Sequence, residues 1–166
     1  MNKKNLKVIG LILLVLLIDI FRPFGYFFLV NLTFLTLIVL SFYNNWFFII
    51  FISLLAGFAQ DSLIFSSNLF YAIEFPLMVI TAFSLNNLLK FIKTKNHPLV
   101  VKAIIAAFLI VVHSFLNSLN TNSTNFLFLV HFFIQSYLVF FLINNILEKA
   151  LRAGRHQPLK KSSYAA

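Results

Sequence analysis

Six apolar stretches follow one another along the chain, at residues 6–21, 27–42, 46–65, 69–89, 99–119 and 126–147. About 20 apolar residues cross a hydrocarbon core roughly 30 Å thick, and each stretch approaches or reaches that length. Inside lipid every backbone amide must find its partner within the segment, so such stretches fold as helices. The breaks are short: RPFG at 22–25, SFYNN at 41–45, FSSN at 65–68, KFIKTKNHP at 90–98 and NTNSTN at 120–125. Pro23 removes a backbone donor and Gly25 tolerates a turn, so the first two stretches form a hairpin. No break leaves room for a soluble domain. The expected fold is all-α, a polytopic membrane bundle of about six transmembrane helices over residues 1–148, followed by a basic cytoplasmic tail at 149–166.

Composition agrees with this fold. Of the 166 residues 61% are hydrophobic and 10% are charged, against roughly 25% charged in an average soluble domain. With no cysteine there is neither a disulfide framework nor a thiolate metal site. The net charge of +9 would raise nucleic acid in a soluble protein; here its placement points to the lipid bilayer instead. Short loops rich in Lys and Arg stay on the cytoplasmic side. With six spans, Lys3, Lys4 and Lys7, the 90–102 group and the C-terminal group share one side, and of the basic residues only Arg22 falls opposite. Five spans would separate the N-terminal lysines from the other groups. Both termini are therefore expected in the cytoplasm, in a cell membrane. MNKKNLKVIGLILLVLLI resembles a signal peptide, but IDIFRPFG follows it without a small-residue cleavage site, so the first helix is expected to be retained. The tail suits either an anchor to anionic headgroups or a docking strip for a cytoplasmic partner.

On that topology Asp19, Arg22, Asp61, Glu74, His113 and His131 all fall at the outer level, and Glu148 is the one acidic residue elsewhere. Ionisable groups within a membrane face other helices or water. Asp19 is placed to pair with Arg22 three residues on, or to sit at the interface. His113 and His131 suit an interhelical hydrogen bond or the interface better than a metal, because no third ligand accompanies them. Gly57 and Asp61 are four apart on one helical face, with Ser53, Ala56 and Gln60 adjoining. Small residues let membrane helices approach and polar ones bond across the contact, so this face is expected to turn inward. Phe48, Phe51, Ile52, Leu55 and Phe58 are expected on the lipid side. Asp61 either holds two helices together or belongs to a partner surface. Glu74 stands two residues before Pro76 and gains weight if it faces Asp61 across the FSSN hairpin.

Common nucleophile, phosphate-loop and metal motifs are absent, and with four acidic residues in all an enzyme is not expected, nor a cofactor. The sequons at Asn31 and Asn122 carry little, the first lying within an expected span. No internal repeat stands out. The 23 phenylalanines are read as lipid-facing surface.

The run from FLVNLTFL through GFAQDSLIFSSNLF to EFPLMVI resembles the central region of the MreD family, bacterial rod shape-determining membrane proteins. Gly57, Asp61 and Leu63 match the family's Gly-Leu-x-x-Asp-type signature, with Phe58 where Leu is common. The turn reads IFSSNLF where the family often has glycines, and VNLT stands where it often has a proline and an acidic pair. The resemblance implies a fold similar to the substrate-binding components of energy-coupling-factor vitamin transporters. It also implies a non-enzymatic role, assembly with an MreC-like membrane protein and peptidoglycan synthesis proteins in cell elongation. Gly57, Asp61 and Glu74 would then serve helix packing or partner binding. The alternative is a vitamin-transporter substrate component using Asp19, Arg22, Asp61, Glu74 and His113 as a ligand site, although the Ala-x-x-x-Ala docking motif of those components is missing from the first helix. A third reading, an enzyme using Asp61 and Glu74, requires a water-filled cavity holding both.

Overall fold

The computed structural model describes residues 3–21, 30–63, 69–90, 98–121 and 126–153. They form six α-helices: α1 Lys3–Phe21, α2 Leu32–Ser41, α3 Trp46–Leu63, α4 Phe70–Lys90, α5 Pro98–Thr121 and α6 Phe126–Ala153. Four of them contain apolar segments long enough to cross a membrane, at Trp46–Leu63, Phe70–Leu89, Leu99–Leu119 and Leu129–Lys149. The chain is a polytopic helical membrane bundle.

The first two helices depart from the simple expectation of six full spans. α1 has 19 residues but carries Lys3, Lys4, Lys7 and Asp19. α2 has only 10 residues, because Val30 and Asn31 lie outside the helix and Asn31 caps it. The Asn31 side chain accepts the Phe34 amide at 2.8 Å, which satisfies one of the donors that every helix start leaves without a partner. At the other extreme α6 runs on to Ala153, past the expected end at 147. At roughly 1.5 Å per residue its 28 residues reach about 42 Å, more than the hydrocarbon core requires.

α2 is the hub. Every residue from Thr33 to Ser41 is buried, and the helix packs against α1, α3, α4 and α6. A helix that is apolar on all sides has no solvent or single-face preference and suits the centre of a bundle. Around it gather Ile49 of α3, Phe75 and Met78 of α4, Leu109 and Ile110 of α5 and Phe140 of α6. The outward faces carry Leu13, Phe51, Leu77, Phe108 and Leu142, all exposed, as a surface in contact with lipid requires.

Ring contacts fix the alternation of helix directions. Trp46 at the start of α3 lies 6.0 Å from Phe83 late in α4, and Phe34 early in α2 stacks on His113 late in α5. One end of the bundle therefore holds the ends of α1, α3 and α5 with the starts of α2, α4 and α6. It carries Asp19, Asp61, Glu74 and His113. The opposite end carries Lys3, Lys4, Lys7, Lys90, Lys102, Lys149 and Arg152, with Glu148 among them. At this basic end Lys102 Nζ donates to the Tyr43 hydroxyl at 2.8 Å and sits 4.0 Å above its ring. Tyr43 in turn donates to Asn144 Oδ1 at 3.0 Å, which ties the turn after α2 to α5 and α6.

Candidate functional site

The carboxylate end is built on the α3–α4 hairpin. The first amides of α4 have no intrahelical acceptor, and the helix dipole makes that end favourable for negative charge. Asp61, 2% exposed, supplies both needs from the preceding helix. Its Oδ1 accepts the Tyr71 N–H at 3.1 Å and its Oδ2 accepts the Ala72 N–H at 2.8 Å.

Gly57 makes that reach possible. It lies one turn before Asp61 on the same face, against the first turn of α4. A Cβ at Gly57 would strike the Tyr71 carbonyl oxygen and lie 2.6 Å from its carbon and 2.7 Å from Ala72 Cα. The two backbones therefore touch where only a glycine fits. Ser53, Ala56 and Gln60 continue the buried stripe, with Ser53 Oγ donating to Ile50 O at 2.8 Å.

Asp19 does the same for α2. Its Oδ1 accepts the Leu32 N–H at 3.0 Å and its Oδ2 the Thr33 N–H at 2.6 Å. Both aspartates stand two residues before the last residue of their helix, and each holds the opening turn of the next. The Asp19 to Arg22 pairing lies outside the described residues at Arg22.

Glu74 does not partner Asp61. Its Oε1 meets His113 Nδ1 at 2.7 Å, with both side chains buried, so α4 and α5 are joined by a carboxylate–imidazole pair. Phe34 of α2 stacks on the imidazole, centroids 4.0 Å apart and planes 17° apart, and Phe132 of α6 lies 5.8 Å away. Four helices converge on this pair. Tyr71 donates to Asn117 Oδ1 at 3.3 Å, a second α4–α5 link one turn nearer the bundle end. Glu74 Oε2 is buried without a hydrogen-bond partner. Pro76 stands within α4, and its missing N–H leaves the Ala72 carbonyl without its usual partner just beside this pair.

One further expectation needs correction. Ile52, expected on the lipid side, is buried, whereas Phe51, Leu55 and Phe58 are exposed. The buried stripe of α3 runs Ile49, Ile52, Ser53, Ala56, Gly57, Gln60 and Asp61; its pattern of three- and four-residue steps includes position 52, which lies one turn before Ala56. His131 is exposed near the start of α6 and meets Gln135 of its own helix at 2.9 Å.

Chemically, these groups connect neighbours. Two carboxylates hold helix starts, and a third holds a histidine. Among the described residues no group of three His, Asp or Glu side chains could hold a metal ion. The Glu74–His113 link and the Tyr43–Lys102–Asn144 cluster were not read from the sequence. The signal available for the first was depth, since Glu74 and His113 are rare polar residues at the same level of adjacent antiparallel helices.

Fold and site together define a class, the polytopic helical membrane proteins whose interior polar groups join one helix to the next. Comparison with protein-family models, with curated proteins and with solved structures finds no match.

Proposed function

We propose that the chain is a non-enzymatic membrane scaffold of the bacterial cell-elongation machinery, resembling the MreD family. It would assemble with an MreC-like membrane protein and with peptidoglycan synthesis proteins in the cell membrane. The observation that carries this reading is the use of the carboxylates. Asp19 and Asp61 accept backbone amides within the bundle and Glu74 meets His113, while the outward faces of the helices are apolar. A bundle with its polar groups tied inward and its surface suited to lipid and to other spans is equipped to hold partners in place.

In this reading the basic end lies in the cytoplasm with both termini, because Lys- and Arg-rich ends are retained there. The carboxylate end then faces outward, where an extracytoplasmic partner domain would meet it. Gly57 and Asp61 shape that surface indirectly by fixing the opening turn of α4. The vitamin-transporter alternative would draw on Asp19 and Asp61 as ligand groups, and their engagement with peptide amides favours the scaffold.

Affinity purification of the tagged chain from its native membrane in mild detergent, with mass spectrometry of proteins and small molecules, tests the proposal. Co-purification of an MreC-like protein and cell-wall synthesis enzymes without a vitamin is expected. Co-purification of transport ATPases with a stoichiometric vitamin would overturn the reading.

A further inference from the structure

α6 meets the rest of the bundle along one narrow stripe. From Val130 to Lys149 its buried residues are Phe132, Ser136, Phe140 and Asn144, one per turn. Of its membrane segment 22% is buried, against 39% in each of the other three long spans. At about 100° per residue the face opposite that stripe is centred on Leu138 and Leu142, both 62% exposed. Along it His131, Gln135, Leu138, Leu142, Asn145 and Lys149 follow one another in alternating steps of four and three residues. Gln135 is half-buried beside His131, and the other five are exposed.

Alternating steps of four and three are the spacing of a seam between two paired helices. Here the middle of the seam is apolar and its two ends are polar. Gln135 lies six residues from the Leu129 end of the segment, about 9 Å along the helix, and Asn145 four residues from the Lys149 end, about 6 Å. Both depths fall inside a hydrocarbon core about 30 Å thick, where carboxamides hydrogen-bond across to other helices rather than to lipid. The matching partner is a helix with donors and acceptors at these two depths and apolar side chains between them. A second copy of α6 meets that requirement by identity. Two copies in one bilayer share their orientation, so their α6 helices run parallel, and a two-fold axis along the membrane normal brings each seam residue to its own counterpart. A carboxamide both donates and accepts, so Gln135 and Asn145 each suit a copy of themselves. A slip of register would set them against Leu138 or Leu142, and a polar seam residue fixes register in this way. Lys149 stands at the end of the segment, where its long stem carries the ammonium into the headgroup layer.

We propose that the outward face of α6 pairs with the same face of a second copy of this chain, in a parallel dimer whose polar layers are Gln135 and Asn145 and whose apolar layers are Leu138 and Leu142. The pairing is independent of the scaffold reading, since it uses only the one helix face that the bundle leaves uncovered.

The test uses the full chain in its native membrane. The sequence has no cysteine, so a single one is introduced as Leu138→Cys or Leu142→Cys on the seam, or as Leu77→Cys on the outward face of α4, and oxidised with copper phenanthroline. All three positions are exposed, so none of the substitutions disturbs the core. Disulfide-linked dimers of the chain are expected from both seam variants, at a yield several-fold above that of Leu77→Cys. Adding Gln135→Leu and Asn145→Leu to Leu142→Cys should cut the yield several-fold at equal membrane abundance, because it removes the polar layers and keeps the apolar ones. Equal yields at the three positions would overturn the proposal, as would a yield that the two added substitutions leave unchanged. So would a seam cysteine that captures a different protein in place of the second copy, which would assign the face to that partner.

Discussion

Gly57 and Asp61 act on the same two peptide units of α4 from one helical turn apart. Their effects should therefore be distinguishable by substitution. Gly57→Ala pushes a methyl against the backbone of Tyr71 and Ala72, with no flexible side chain to yield, and overpacking of this kind costs about 1–3 kcal/mol. Thermal unfolding in detergent should show that loss, and an unchanged transition would mean that the close approach is not required. Glu74 and His113 call for a double-mutant cycle. Removing one partner of a buried hydrogen-bonded pair costs about 1–3 kcal/mol, so Glu74→Leu and His113→Phe should each destabilise measurably. The double variant should be more stable than the sum of the two losses implies, by about 0.5–3 kcal/mol of coupling. Additive losses would show that the 2.7 Å contact contributes no pairwise stability.

At the scale of elements, α1–α2 and α3–α4 repeat one device, a carboxylate near the end of one helix holding the first amides of the next. Asp19→Ala should therefore destabilise by an amount similar to that of Asp61→Ala. A loss confined to Asp61 would make the α1–α2 contact incidental. The inward face of α3 was legible because Gly57 and Asp61 share it and the surrounding residues are large and apolar. The partner of Asp61 was not legible. It is a pair of peptide groups, which every residue except proline carries, so no side chain in the sequence marks the acceptor's destination. The same reason hid the parallel between Asp19 and Asp61, whose surroundings differ in sequence and agree only in geometry. The start of α2 was read too early because the residues before Asn31, from Phe27 on, are as apolar in sequence as the helix that follows. Asn31, noted in the sequence as a sequon, is in fact the cap.

For the whole molecule, the separation of charge is what sequence and structure share most fully. It survives from the linear pattern into three dimensions because antiparallel helices bring every second break to the same end. An orientation follows for the proposed topology. A cysteine introduced at Asn122 should react in intact cells with a membrane-impermeant thiol reagent, and one at Ser162 should react only after permeabilisation. The chain has no native cysteine to confuse the readout. The reverse pattern would invert the bundle and remove the outward-facing carboxylate end from the proposed function.

The central claim is that this end consists of internal helix locks, with Asp61 the most deeply engaged of the two capping carboxylates. The measurement that tests it most directly is the melting temperature of the purified full chain in nanodiscs, wild type against Asp61→Ala. The buried Ala72 amide left without an acceptor should cost about 1–3 kcal/mol, the partly buried Tyr71 amide less, and a chain of this size loses roughly 2–4 °C per kcal/mol. A fall of about 2 °C or more is predicted. A melting temperature equal to that of the wild type would contradict the account and leave Asp61 free for another role.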